Sequence, residues 1–302
     1  FLFKGLKMGN PDNEDTFYKG KLIKTDKNER HYIDGLKERN TLLYAGTKYH
    51  LSQWYYRSKI DYLFIDEASQ LSIADLIALG GVAKNIILVG DQLQLGQPTQ
   101  GSHPGLSNNS VLDYLLQGKD TVEDNRGIFL SRTYRMHPNI NSFISENFYE
   151  NKLLTNPENK NRKIDFPKNF FLNNEGIHTI LMDHEDCTQT SEQEFKKIDE
   201  IIKKLIGRKF TDADNKERPL TIEDFLIVSP YNAQVNFLLA RLPEGTRCGT
   251  IDRFQGQEAP VTIISMTSSD LESLPRDKSF FFNRNRLNVA ISRAQCLSVI
   301  LF

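Results

Sequence analysis

Two polar clusters stand at the ends of short apolar runs, and their make-up suits phosphate chemistry. Tyr62-Leu63-Phe64-Ile65 runs into Asp66-Glu67-Ala68-Ser69. Ile86-Ile87-Leu88-Val89 runs into Gly90-Asp91-Gln92-Leu93-Gln94. Each run is too short for an ordinary helix and reads as a buried strand of a parallel sheet. In open α/β sheets a ligand sits beyond the carboxyl ends of the strands. Adjacent carboxylates there suit Mg²⁺ with nucleotide phosphates: one holds the cation through water, and the other takes a proton from an attacking water. Asp66-Glu67 alone also reads as a solvated loop after a strand, and two residues do not separate these readings.

Three stretches downstream carry further phosphate-directed groups. In Tyr134-Arg135-Met136-His137-Pro138 the guanidinium is a fixed fork of donors and the Tyr ring a stacking face. Gly249-Thr250 leads a short strand into a Gly-containing loop that ends at Gln257-Glu258. From Asn283 to Ala294 a helical pattern puts Leu287, Ala290, Ile291 and Ala294 inward. Arg286 and Arg293, seven apart, share one flank of that stripe.

In this order the stretches resemble the motifs of superfamily 1 helicases, in the group that contains the nonsense-mediated-decay helicase. The resemblance covers residues 41–302. It implies an α/β fold of two RecA-like parallel-sheet domains of the P-loop NTPase type. Residues 1–122 would be the first, incomplete domain and residues 123–302 the second. ATP would lie in the cleft between them and single-stranded nucleic acid, DNA favoured, across their tops. By resemblance Asp66 holds Mg²⁺, Glu67 is the general base, and Gln94 senses the γ-phosphate. Arg135 reaches that phosphate across the cleft, and Arg293 is the arginine finger. Tyr134 lies near the base, Glu258 faces the ribose, and Arg286 joins the nucleotide site. Thr47, Pro230, Tyr231 and Thr250 would line the nucleic acid track.

The elements that must position these groups are legible. A strand over 41–45 runs into Gly46-Thr47, which reads equally as a phosphate contact and as a plain turn. Ser72-x-x-Asp75 is a capping box opening a short helix with Ile73, Leu76 and Ile77 inward, ended by Gly80-Gly81. Residues 111–116 form one more helix, and polar 117–126 is the expected domain boundary. Pro138 starts a helix with Ile140, Phe143, Ile144 and Phe148 on one face. Residues 150–176 read as irregular, followed by a strand over 176–182. Ser191-x-x-Glu194 opens a helix carrying Phe195, Ile198, Ile202 and Leu205 inward. Strands over 225–228, 261–266 and 296–302 complete the pattern, with Val235, Leu238, Leu239 and Leu242 on a helix after the first. Pro260 removes a backbone donor at a strand start, where that is tolerated.

Composition sets the bounds. The chain has 302 residues and a net charge of −1, so no global basic field points to nucleic acid. Residues 1–60 hold 12 Lys/Arg against 7 Asp/Glu, which is either a solvated face or a phosphate-binding strip. Three scattered cysteines argue against a zinc site or a disulfide framework and fit a reducing cytosol. No apolar run reaches membrane-spanning length. A monomer is expected. One departure from the family pattern matters: no Gly-x-x-x-x-Gly-Lys-Ser/Thr phosphate loop occurs. The expectation is a C-terminal fragment whose loop lies before Phe1 and which alone binds ATP weakly without hydrolysing it. The competing class is an ATPase-inactive nucleic-acid-binding module. Joint retention of Asp66, Glu67, Gln94, Arg135 and Arg293 weighs against it, since pure binding needs none of them. A ring-forming remodelling ATPase fails on the Tyr134–Pro138 and Arg286–Ala290 sequences.

Overall fold

A computed structural model describes residues 5–8, 23–26, 33–34, 43–96, 104–107, 109–183, 185, 187–269 and 283–302, the first two segments as backbone only. Gly9-Asn10-Pro11-Asp12-Asn13-Glu14-Asp15, whose residue types read as a turn cluster, and residues 41–42 of the expected strand lie outside them. Two compact units emerge: Phe1–Gln92 with Gly96–Gly118, and Leu93–Leu95 with Lys119–Phe302. Three residues from the middle of the first stretch therefore pack in the second unit.

In the first unit, strand β1 (Gly5–Met8) lies between β2 (Ile23–Asp26) and β3 (Leu43–Ala45), all parallel. The charges of Lys24 to Arg30 read as a loop, yet residues 24–26 belong to β2. A second parallel pair joins β4 (Ile60–Ile65) to β5 (Ala83–Leu88). Helix α1 (Lys48–Leu51) follows β3, helix α2 (Ile73–Leu79) connects β4 to β5, and helix α3 (Val111–Leu116) comes last. The capping box at the start of α2 forms as expected: Ser72 Oγ accepts the Asp75 N–H, and Asp75 accepts the Ser72 N–H. Lys48 Nζ, at 2.6 Å, pairs with the same carboxylate.

Leu63, Leu71, Leu79, Val82 and Val111 form this unit's core with Tyr56. The expectation that β4 is buried on both faces fails. Tyr62 is 60% and Phe64 68% exposed, because the period of two sends them to the face opposite Leu63. Ile77, expected inward on α2, is also exposed, and Leu79 takes the buried place.

In the second unit a five-stranded parallel sheet has the order β13 (Arg247–Gly249), β12 (Phe225–Val228), β14 (Ala259–Ser265), β15 (Ala294–Leu301), β9 (Gly176–Ile180). Here β12 and β14 are buried on both faces, which explains their unbroken apolar runs. Alternate residues feed two cores. Phe225 and Ile227 pack with helices α5 (Glu192–Leu205) and α6 (Asn232–Leu239). Leu226 and Val228 pack with α4 (Pro138–Phe148) and α7 (Arg284–Ser292). Leu93 and Leu95 belong to the second core. The β14–β15 register shifts between Ala259 and Val261, so Pro260 sits at an irregularity where a missing donor is harmless.

Residues 150–176, expected as irregular, hold short pieces instead. Strand β7 (Leu154–Thr155) pairs with β6 (Arg132–Thr133). Strand β8 (Lys163–Ile164) joins β10 (Lys209–Thr211) and β11 (Glu217–Pro219) in an antiparallel sheet. Among the described residues no helix is long and apolar enough to cross a membrane.

Pro138 occupies the first turn of α4, and His137 caps it, Nδ1 accepting the Asn139 N–H at 3.2 Å. Burial, then the nearby Arg162 charge, holds this imidazole's pKa below its usual value, against an opposing hydrogen bond with the Lys160 backbone. The unfolded chain takes up the proton first as pH falls. His137 therefore contributes stability that is present above about pH 6.5 and is lost as pH drops towards its folded pKa. His137→Asn keeps a capping acceptor and removes the titration. Its urea midpoint should gain on the wild type progressively below pH 6.5, whereas His137→Ala should lose about 1 kcal/mol at neutral pH. Parallel pH curves for wild type and Asn variant would contradict this.

Candidate functional site

In the first unit the candidate carboxylates lie beyond the carboxyl end of β4. Both side chains are exposed. Asp66 Oδ1 accepts the Glu67 N–H at 2.9 Å, and Glu67 adopts a left-handed backbone with φ 52° and ψ 43°. That conformation is uncommon for a residue with a Cβ and marks a turn held by its surroundings. The holding bonds are Ala68 N–H to Val89 O at 2.9 Å and Val89 N–H to Ile65 O at 2.8 Å. Gly90 permits this approach: a Cβ there would lie 2.8 Å from Ala68 N and 3.1 Å from both Ser69 N and Leu112 Cδ1. Gly90→Ala should destabilise the protein by about 1–3 kcal/mol through overpacking against backbone. An unchanged thermal midpoint would show that the turn yields freely.

No cluster of three or more His, Cys, Asp or Glu side chains suited to a metal exists among the described residues. A single exposed aspartate suits Mg²⁺, which keeps several waters and takes phosphate oxygens rather than an all-protein cage. Thr47 is exposed just before α1, its carbonyl accepting the His50 and Leu51 N–H groups at 3.0 Å each.

The second unit gathers its charged candidates at the amino edge of the sheet. Ala259 pairs with Ala294, so Glu258 and Arg293 immediately precede neighbouring strands. Arg135 Nε donates to Glu258 Oε2 at 2.6 Å, and Gln295 Nε2 donates to Oε1 at 2.7 Å. Burial raises the Glu258 pKa, but the Arg135 and Gln295 hydrogen bonds outweigh it, and the carboxyl ends below its usual value. Arg135 also donates to Ser292 O at 3.2 Å. Arg293, 2% exposed, ends α7 and donates to Gln94 Oε1 at 3.2 Å and Gln257 O at 3.4 Å. Tyr134 exposes its ring nearby in sequence, while its carbonyl accepts from Arg162 at 3.4 Å. Arg286 turns to Asp252 at 3.1 Å.

The nucleic acid candidates lie at the opposite, carboxyl edge. Val228 is in register with Gly249, and Ser229 N–H donates to Gly249 O at 3.2 Å. Pro230-Tyr231 and Thr250 therefore adjoin. Tyr231 is buried and precedes α6, so its ring packs inside rather than offering a stacking face; Pro230 and Thr250 are half-buried. Beneath this edge Glu194 is fully buried. It accepts from Ser265 Oγ and from Thr267 N–H, the latter at 2.7 Å. Ser191 caps α5 as expected, but Glu194 turns inward instead of completing a capping box.

The structure thus joins Arg135 to Glu258, Gln94 to Arg293, and Pro230-Tyr231 to Thr250. It corrects the α7 stripe: Leu287 is exposed and Asn288 takes a buried position. Sequence reasoning passed over Asn285, Asn288 and Gln295. Their signal was amides on or beside a helix otherwise dense in small apolar residues, since a buried amide requires partners.

A family model described as AAA domain (AAA_12) matches residues 108–301. The chain belongs to that family, among the superfamily 1 helicases of the nonsense-mediated-decay-helicase-like group. The DNA polymerase alpha-associated DNA helicase A of Schizosaccharomyces pombe is 31% identical over 255 residues, covering 78% of this chain and 36% of that protein. An ATP-dependent helicase of Caenorhabditis elegans is 30% identical over 252 residues, covering 78% of this chain and 15% of its own length. The regulator of nonsense transcripts 1 homolog of Drosophila melanogaster is 28% identical over 263 residues, covering 79% and 20% respectively. The chain therefore spans about a third or less of these relatives' lengths.

Proposed function

We propose that the protein is an ATP-dependent helicase or translocase acting on single-stranded nucleic acid. ATP is hydrolysed in a cleft between two RecA-like domains, residues 1–122 and 123–302. The observation that carries this reading is the hydrogen bond from Arg293 to Gln94, two phosphate-directed side chains 199 residues apart in sequence. DNA is favoured over RNA because one of the more similar relatives is named a DNA helicase.

In this mechanism the exposed Glu67 carboxylate takes the proton from the attacking water, its direction set by the left-handed turn. Asp66 is the residue that would hold Mg²⁺, which neutralises charge on the β- and γ-phosphates when bound. Arg293 trades the neutral oxygen of Gln94 for a charged phosphate oxygen, a stronger acceptor. Gln94, released, meets the same phosphate. Arg135 is kept in line by Glu258, and Tyr134 and Arg286 attend the base and the remaining phosphates. Thr47 and Thr250 supply hydroxyls to the nucleic acid backbone beside Pro230 and Tyr231, so affinity should fall as salt rises.

The test is ATP turnover, with and without single-stranded DNA, by the protein that carries this chain. Glu67→Gln keeps shape and loses the acceptor, so turnover should fall about 10²–10⁴-fold with nucleotide still bound. Arg293→Ala and Arg135→Ala should lower turnover by about 10³–10⁵-fold while ADP affinity changes little. Equal losses of ADP affinity and rate would make both arginines structural. DNA binding by wild type without any turnover would favour the inactive binding module.

A further inference from the structure

We infer that Asn285 and Asn288 are positioning residues that dock the Leu93–Leu95 segment onto α7, so that the Gln94 carboxamide meets Arg293. This rests on the functional reading above for its consequence, though not for its geometry. Asn285 Nδ2 donates to Gln94 O at 3.0 Å. Asn288 Nδ2 donates to Leu93 O at 2.9 Å and to Tyr149 Oη at 3.0 Å. The two amides are three residues apart and so share one helix face. The guanidinium at the end of the same helix reaches Gln94 Oε1 at 3.2 Å. One helix thus grips two consecutive carbonyls of the segment and the side chain of its middle residue.

The arrangement has a physical logic. Leu93 and Leu95 are buried in the core that α4 and α7 share, so their flanking carbonyls leave water. A buried carbonyl needs a donor, and the amides supply it. An alkyl side chain would fill the space and leave the carbonyls unpaired. A carboxylate would set a negative charge against them. The segment is short, and both its neighbours in sequence, Gln92 and Gly96, belong to the other unit. The leucines fix its depth, but apolar packing is non-directional. The two amides fix its register along α7 and hence the position of Gln94.

Amide hydrogen exchange and steady-state kinetics test this together. In Asn288→Leu, and in the less buried Asn285→Ala should the first variant fold poorly, exchange across residues 92–96 should quicken. Strands β12, β14 and β15 should exchange as in wild type. Turnover should drop roughly 10–10²-fold with KM for ATP nearly constant, the signature of a misplaced transition-state contact. In a Gln94→Ala background Asn285→Ala should add almost nothing, because its effect runs through Gln94. Unaltered exchange at 92–96, or a full additive loss in the Gln94→Ala background, would overturn the inference. If the protein that carries this chain hydrolyses no ATP, the functional reading falls, and the exchange result alone decides whether the amides hold the segment.

Discussion

A guanidinium cannot shed its charge at any pH a protein survives, so burying one compels its surroundings to present acceptors. Arg293 is such a group. It stands where α7 gives way to β15, at the point where Ala294 pairs with Ala259. The constraint runs outward from there. The loop before β14 must turn its Gln257 carbonyl inward, and the chain near residue 94 must bring a carboxamide within reach. Removing Arg293 would strand those acceptors; removing them would strand a charge.

The parallel register of the second unit separates two chemistries. Guanidiniums and Glu258 collect at the amino edge, and Pro230, Tyr231 and Thr250 at the carboxyl edge. A single loop, residues 250–258, begins at one edge and ends at the other, through a turn of 3₁₀ helix. Its first residue is a nucleic acid candidate and its last is bound to Arg135. Nine residues of backbone thus join the two edges, with Ile251 and Phe254 buried among them. The carboxyl edge has its own anchor in Glu194, whose hydrogen bonds tie α5 to the segment after β14.

Much of this was legible in the residues. Continuous apolar runs located the longer strands, and Ser72 and Pro138 marked helix starts through local hydrogen bonding and ring geometry. What escaped was set by tertiary context. Tyr62 and Phe64 are apolar enough to read as buried, yet whether a sheet face is covered depends on elements far along the chain. Leu287 occupies a helical position that would suit a core, but α7 must give the neighbouring place to Asn288 because carbonyls face it. Glu194 matched a local capping pattern and was diverted by stronger distant donors. Tyr231 was read through its turn, while the packing of its ring follows from α6. In each case the local rule was sound and a long-range polar or packing demand outranked it.

The two halves of the candidate catalytic set are therefore prepared in different ways. Asp66 and Glu67 are exposed and aimed by backbone: a left-handed residue, two short main-chain bonds and a glycine that lets the strands' ends touch. Arg135, Gln94 and Arg293 are aimed by side-chain partners, Glu258 for the first and each other for the last two. Backbone aiming suits a group that must meet water, since an exposed carboxylate keeps its solvent and needs only direction. Partner aiming suits cations that must wait for a polyanion, because a protein acceptor holds the guanidinium in place until a stronger one arrives. In the proposed mechanism, exchange of a carboxamide for a phosphate oxygen would favour the bound state by the difference between a neutral and a charge-assisted hydrogen bond.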